Sequence, residues 1–374
     1  MGQQTATRDI NNRGQAPFLL RGFALVVGAV FLSVACSLGS SGQGGQASPK
    51  ASTKRIAFLG LQAGAKRYTV ADVPYFKKAV EAAGYTAVVQ FAENSQQTQI
   101  NEAQSVLTQG IDVLVLQPVD VKAAAQIVTM AKQQGVPVIS YNDLVSNAKI
   151  TAFVGRSGVD AGALAANAAV TAFPTGNYVI VNGDAGQTIA QDEEKGYHQV
   201  LDPLVQSGKI KIVSDQYTPG WATAPALAQC ENALTANHNN IQVLITSYDA
   251  FAAACIGSLK KANLAGGKVY VTGQDLEPEG AVAIADGDMG GTLWGSFDAM
   301  GTAAGQTAVT LAQGKTLTSQ TTIDNGAGSV PYVKVPVGFV TKKDLPKFLC
   351  DHPWWLPIST VYAHIPQSQW PTCS

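Results

Sequence analysis

Histidine is scarce in this chain, with four in 374 residues, and His198, His238, His352 and His364 stand apart at no metal-binding spacing. There is no H-E-x-x-H, no C-x-x-C and no G-x-S-x-G, so the common zinc, redox and serine-hydrolase signatures are absent. Charge is also thin: Asp, Glu, Lys and Arg make up 14% of the chain, with 25 basic residues against 26 acidic. No dense Lys/Arg run occurs beyond the amino terminus, which removes the electrostatic footprint that nucleic acid requires. Long apolar runs are lacking too; the stretch Phe23 to Ala35 is too short to span a bilayer comfortably. What remains is a chain that is 46% hydrophobic and long enough for two domains of ordinary size.

The amino terminus reads as a separate unit. Arg8, Arg13 and Arg21 precede the apolar stretch, which ends in Ser33-Val34-Ala35-Cys36, the layout of an export signal. Cys36 resembles the lipid-modified cysteine of bacterial lipoproteins, with the Ser/Gly segment from Ser37 to Ser48 as a flexible tether. That pattern usually has Leu three residues before the cysteine, where this chain has Ser33. Residues 1–36 are therefore expected to be a signal peptide and 37–53 a tether. The expected location is the outer face of the cytoplasmic membrane or the periplasm, with the lipid as the only membrane attachment. Four cysteines then remain in the exported part: Cys230, Cys255, Cys350 and Cys373. They allow three pairings; neighbourhood in sequence favours Cys230 with Cys255 and Cys350 with Cys373, and free buried thiols are the alternative.

From Lys54 onward, short β-rich runs alternate with Ala-rich helical stretches. Strands are expected at 56–61, 87–91, 113–117, 136–141, 178–182, 211–216, 243–246 and 269–272. Between them, stretches such as Ala123 to Gln134 carry Ala124, Ile127, Val128 and Ala131 at helical spacing. The strands are continuously apolar, as when helices cover both faces of a parallel sheet. The expected fold is α/β, with two Rossmann-like, doubly wound parallel-sheet lobes. Changes of character near 152–162, 291–305 and 324–332 suggest that the chain crosses between lobes three times. The expected amino-terminal lobe is 54–154 plus 294–323, the carboxy-terminal lobe 155–293 plus 324–345, and 346–374 an appended tail.

In open parallel sheets, ligands bind beyond the carboxyl ends of the strands. Here those ends carry Lys66-Arg67-Tyr68, Tyr141-Asn142-Asp143, Asn182-Gly183-Asp184, Ser247-Tyr248-Asp249 and Gly273-Gln274-Asp275, with Trp221 and Trp294 nearby. Sugar hydroxyls donate and accept at once, so carboxylates, amides and an Arg match them, and a Trp face matches the apolar C–H side of a pyranose. Each member also has a structural alternative. Asp143, Asp184 and Asp249 could cap the helices that follow; Tyr141, Tyr217 and Tyr248 could be core; and Trp221 and Trp294 could be packing.

The segments "SGKIKIVSDQYTPGW" and "ENALTANHNNIQVLITSYDA", with "TQGIDVLVLQPVD", "AKQQGVPVISYND", "TGQD" and "TIDNGAGSVP", resemble the ribose-type, class I periplasmic binding proteins of ABC importers, above all their xylose-binding members. The resemblance runs from about Lys54 to Lys343. It implies two lobes on a three-strand hinge that close on one monosaccharide, an aldopentose or aldohexose, and deliver it to ABC permease subunits; a receptor reporting to a membrane sensor is the alternative. It implies ligand contacts at Arg67, Tyr68, Trp221, Asp275 and Trp294, and Gln274 is nominated with them from the strand-end set. Asn142-Asp143 stand where the xylose-binding members have Asp-Arg, Tyr248-Asp249 where they have Asn-Asp, and Gly295 where they have a lysine, so the particular sugar is left open. Gln187 and Asp192 are nominated from 184–195, which aligns only with gaps. No cofactor, metal or catalysis is expected, and the receptor is expected to be a monomer. Carboxylates such as Asp249 and Asp275 could in principle hydrolyse a glycoside, but lying on different strands gives them no defined geometry. A sugar-responsive repressor would need a helix-turn-helix where this chain has its signal and tether.

Overall fold

The computed structural model describes residues 53–319 and 321–373. Cys36 and the signal segment lie outside the described residues. Thirteen strands form two sheets among the described residues. The first sheet takes β1 (Arg55–Gly60), β2 (Thr86–Phe91), β3 (Val113–Leu116), β4 (Val138–Tyr141) and β5 (Ala152–Gly155). The second takes β6 (Gly176–Asn182), β7 (Ile210–Tyr217), β8 (Val243–Thr246), β9 (Tyr270–Gln274) and β10 (Gly291–Trp294). After a helix at Phe297–Ala312, β11 (Thr322–Asp324) and β12 (Ser329–Lys334) return to the first sheet, and β13 (Gly338–Thr341) closes the second. The spatial orders are β11-β12-β5-β4-β3-β1-β2 and β13-β10-β9-β8-β6-β7. Pairing is parallel except where β11 meets β12 and β10 meets β13.

The apolar runs explain the layering. All four residues of β3, Val-Leu-Val-Leu, are buried, because helices cover the sheet on both sides. In the second lobe, the helices Gly158–Ala172 and Thr188–Gln206 pack backbone against backbone. A Cβ on Gly162 would stand 2.0 Å from the carbonyl oxygen of Glu193, so only glycine permits that approach.

The chain crosses between the sheets after β5, after β10 and after β12. The third crossing differs from the sequence expectation, which placed all of 324–345 in the second lobe. Tyr332 pairs with Phe153 in parallel register, so β12 belongs to the first sheet, and the crossing falls at residues 335–337. Within the run 152–162, Ala152–Gly155 form strand β5 of the first sheet, and the chain crosses after it. Trp294, placed at the start of the returning first lobe, ends β10 of the second.

The tail packs tightly. A helix at Leu345–Asp351 begins it, and disulfides join Cys350 to Cys373 and, in the second lobe, Cys230 to Cys255. Trp355 is buried against Trp294 (ring centroids 5.0 Å apart) and Phe297 (5.8 Å), and its Nε1 donates to the Leu276 carbonyl at 2.8 Å. On the first lobe, Trp354 meets Tyr75 at 5.3 Å, and Lys66 Nζ donates to the Trp355 carbonyl. The tail thus touches both lobes. No helix among the described residues is long and apolar enough to cross a membrane.

Candidate functional site

The strand ends of the two sheets face one another across a narrow cleft lined from both lobes. The first lobe contributes Gln62, Arg67, Tyr68 and Asn142, the second Gln187, Trp221, Tyr248, Gln274 and Asp275, and Arg156 enters from the first crossing.

Arg67 is held rigidly. Its Nε and Nη2 donate to Asp72 at 3.0 and 2.8 Å, and its guanidinium lies 3.9 Å over the Phe297 ring. Tyr141 donates its hydroxyl to the same Asp72, so this tyrosine is a core support rather than a cleft residue. The Tyr68 hydroxyl accepts from Gln117 Nε2 at 2.8 Å, and Asn142 Oδ1 accepts from Arg67 Nη2 at 3.4 Å. On the opposite wall, Trp221 stands over Gly183, where a Cβ would come within 2.1 Å of the indole. Phe251 stacks near it at 6.2 Å, and Tyr248 meets it edge-on at 6.4 Å.

Several polar atoms in the cleft are buried yet unpartnered: Arg156 Nε and Nη1, Trp221 Nε1, Gln274 Oε1 and Asp275 Oδ1. Leaving such groups unpaired costs roughly 1–3 kcal/mol each, so together they describe a polar guest. Burial pushes the Asp275 carboxyl above the usual range, opposed by Arg67 and Arg156.

Four residues nominated from sequence do not line this cleft. Asp143 is fully buried and spends one oxygen on the Ile189 N–H at 2.9 Å and the other on Asn142 Nδ2 at 2.9 Å. Asp249 sits in the first turn of the helix Asp249–Lys261, where it accepts from the Glu277 N–H and the Thr292 hydroxyl, both at 2.7 Å. Asp192 pairs with Lys195 at 2.6 Å and lines a separate pocket with Asn142, Arg156 and Tyr332. Trp294 is covered by the tail. Asp184, weighed as a cap, accepts from the Gly186 N–H at 2.7 Å and from the Gly220 N–H. The sequence analysis missed Arg156 and Gln62. Arg156 directly follows β5, so the strand-end rule would have found it had that strand been recognised.

Among the described residues, Glu194, His198 and Asp215, none of which lines the cleft, bring possible metal-ligand atoms within 4.8 Å of one another. These groups already bond one another and their neighbours: His198 joins Asp202 at 2.7 Å and Asp215 at 2.8 Å, and Tyr217 donates to Glu194.

The periplasmic binding protein domain matches residues 56–316. The D-xylose-binding periplasmic protein of Escherichia coli is 35% identical over 260 residues, which is 70% of this chain and 78% of that protein. Its counterpart in Haemophilus influenzae is 32% identical, covering 73% and 82%. Among solved structures, an ABC transporter solute binding protein from Mycobacterium smegmatis with bound glycerol is 26% identical, with a TM-score of 0.69, over 78% of this chain and 96% of that one. One from Clostridium phytofermentans with bound β-D-glucose shares the fold at a TM-score of 0.75 and 20% identity, over 82% and 99%.

Proposed function

The chain belongs to the periplasmic binding protein domain family, and from that premise we propose that it captures one monosaccharide between its lobes and delivers it to an ABC permease. The unpartnered atoms in the cleft carry this reading. Arg156 and Trp221 Nε1 offer donors, and Gln274 and Asp275 offer acceptors. A molecule with hydroxyls spaced around a small ring satisfies both kinds at once. The Trp221 indole supplies a flat apolar wall for its C–H face. A xylose-like aldopentose or an aldohexose carries that set of donors and acceptors. Such a cleft binds without chemistry, because closing the lobes pairs the guest's hydroxyls and leaves no group to be transferred. Anchoring through Cys36 would keep the receptor beside the permease; Cys36→Ser is expected to release it from membranes, and unchanged membrane association would refute the anchor. Mass spectrometry of the ligand that co-purifies with the protein, followed by titration calorimetry with an aldopentose and aldohexose panel, tests the main claim. A bound monosaccharide is the expected result; failure of every monosaccharide to bind overturns it.

A further inference from the structure

Glu193 lies on the helix Thr188–Gln206, fully buried, one layer behind the cleft wall and outside its lining. Its Oε1 accepts from Arg156 Nη2 at 3.5 Å, and the same Nη2 stands 3.8 Å from Asp275 Oδ1. Two carboxylates therefore share one guanidinium nitrogen, one of them at the back of Arg156 and the other in the cleft. Both partners are closely packed. The Glu193 backbone is pressed against Gly162, and a Cβ on Gly295 would come within 2.6 Å of Arg156 Nη1, so a glycine at the second crossing leaves room for the guanidinium.

Resting on the sugar-binding reading above, we propose that Glu193 is a positioning residue that sets sugar affinity through Arg156. The ionised Glu193 carboxylate draws Nη2 to the rear. Asp275 is then left to accept from a ring hydroxyl, while Arg156 Nε and Nη1 donate into the cleft. When Glu193 is neutral, Asp275 becomes the only anion beside Nη2 and is drawn from the sugar to the guanidinium.

The balance between the two carboxylates makes binding sensitive to pH. The charged and titratable groups facing Glu193 are Arg156, Asp275 and Asp143, with Tyr197 on its own helix. Burial pushes the Glu193 carboxyl up to about 8, Arg156 opposes that, and Asp275 adds to it. Affinity is therefore expected to strengthen as pH rises through that range.

The experiment is titration calorimetry of the mature protein with D-xylose and with D-glucose from pH 6 to 9, comparing the parent with Glu193→Gln, Glu193→Asp, Gly295→Ala, Arg156→Met and the Arg156→Met, Glu193→Gln double variant. Glu193→Gln should weaken binding about tenfold at pH 9 and flatten the pH profile, with partial recovery in Glu193→Asp. Gly295→Ala, which displaces the guanidinium, should weaken binding at every pH. The double variant should bind no worse than Arg156→Met, because Glu193 acts only through that arginine. A slope that persists in Glu193→Gln, or losses that add in the double variant, overturns the proposal. If neither sugar binds the parent, the functional reading fails for these sugars, and carbon-13 NMR of the Glu193 carboxyl decides the coupling on its own: Arg156→Met should raise its titration midpoint, and an unmoved midpoint overturns the pair.

Discussion

Three cleft residues, Asn142 (φ 61°), Trp221 (φ 54°) and Asp275 (φ 87°), hold backbone conformations that side chains other than glycine seldom adopt. Each costs on the order of 1–3 kcal/mol, and all three lie where a guest would be gripped. Asp275→Gly is therefore expected to raise the thermal stability of the unliganded protein, since it relaxes the backbone and removes a buried unpaired oxygen, while weakening sugar binding at least tenfold, about 1.4 kcal/mol. A melting curve and a titration on one preparation check both signs. Trp221→Ala should lose at least tenfold in affinity as well; parental binding would make the indole a packing residue. These positions were legible in sequence because each follows a strand end or a Pro-Gly turn. For Asp143, Asp249 and Trp294 the sequence left ligand contact and capping or packing both open, and the structure shows the second for physical reasons. An acid after a strand serves a ligand or a nearby backbone N–H equally well, and nothing local shows that the tail will cover an indole.

The helix Thr188–Gln206 shows what Asp143 does instead. Its amino terminus receives the Asp143 carboxylate from the other lobe, Thr188 donates to the Leu144 carbonyl at 2.9 Å, and the Val121 N–H bonds the Gly186 carbonyl at 3.1 Å. These bonds bridge the cleft, so separating the lobes would break them. A carboxylate at a helix amino terminus contributes about 0.5–2 kcal/mol, so Asp143→Ala should shift the protein toward open forms and weaken apparent sugar affinity about three- to thirtyfold. Small-angle scattering without sugar should show a larger radius of gyration; an unchanged radius and affinity would refute the latch. In the tail, Cys350→Ser with Cys373→Ser removes a link across a separation of 23 residues and should lower unfolding stability by about 2–4 kcal/mol, measured in denaturant under oxidising conditions. The alternation of strands and helices was readable from apolar periodicity. The place of β12 was not, because its partner β5 lies far back in the chain and pairing at that distance leaves no local mark.

For the whole molecule, the buried acids set the response to pH. Burial raises Glu193 and Glu277 from 4.5 to about 8, so the folded state binds their protons more tightly than the unfolded chain does. Their contribution to stability is complete below pH 4.5 and is lost as pH rises through about 8. Unfolding free energy of the unliganded protein should therefore fall between about pH 5 and 8, and the Glu193→Gln, Glu277→Gln double variant should show a flatter profile; an equal slope would locate the protons elsewhere. The two-lobed plan could be anticipated from the number of strand-helix units, but the finished lobes could not, since both are assembled from separated stretches of chain. Strand β12 completes one sheet and β13 the other, and both come after residue 328. A polypeptide emerging residue by residue from the ribosome or a translocation channel cannot finish one half and then begin the other. Both halves wait on strands that follow residue 328, and the Cys350–Cys373 bond that fastens the tail can form only later still.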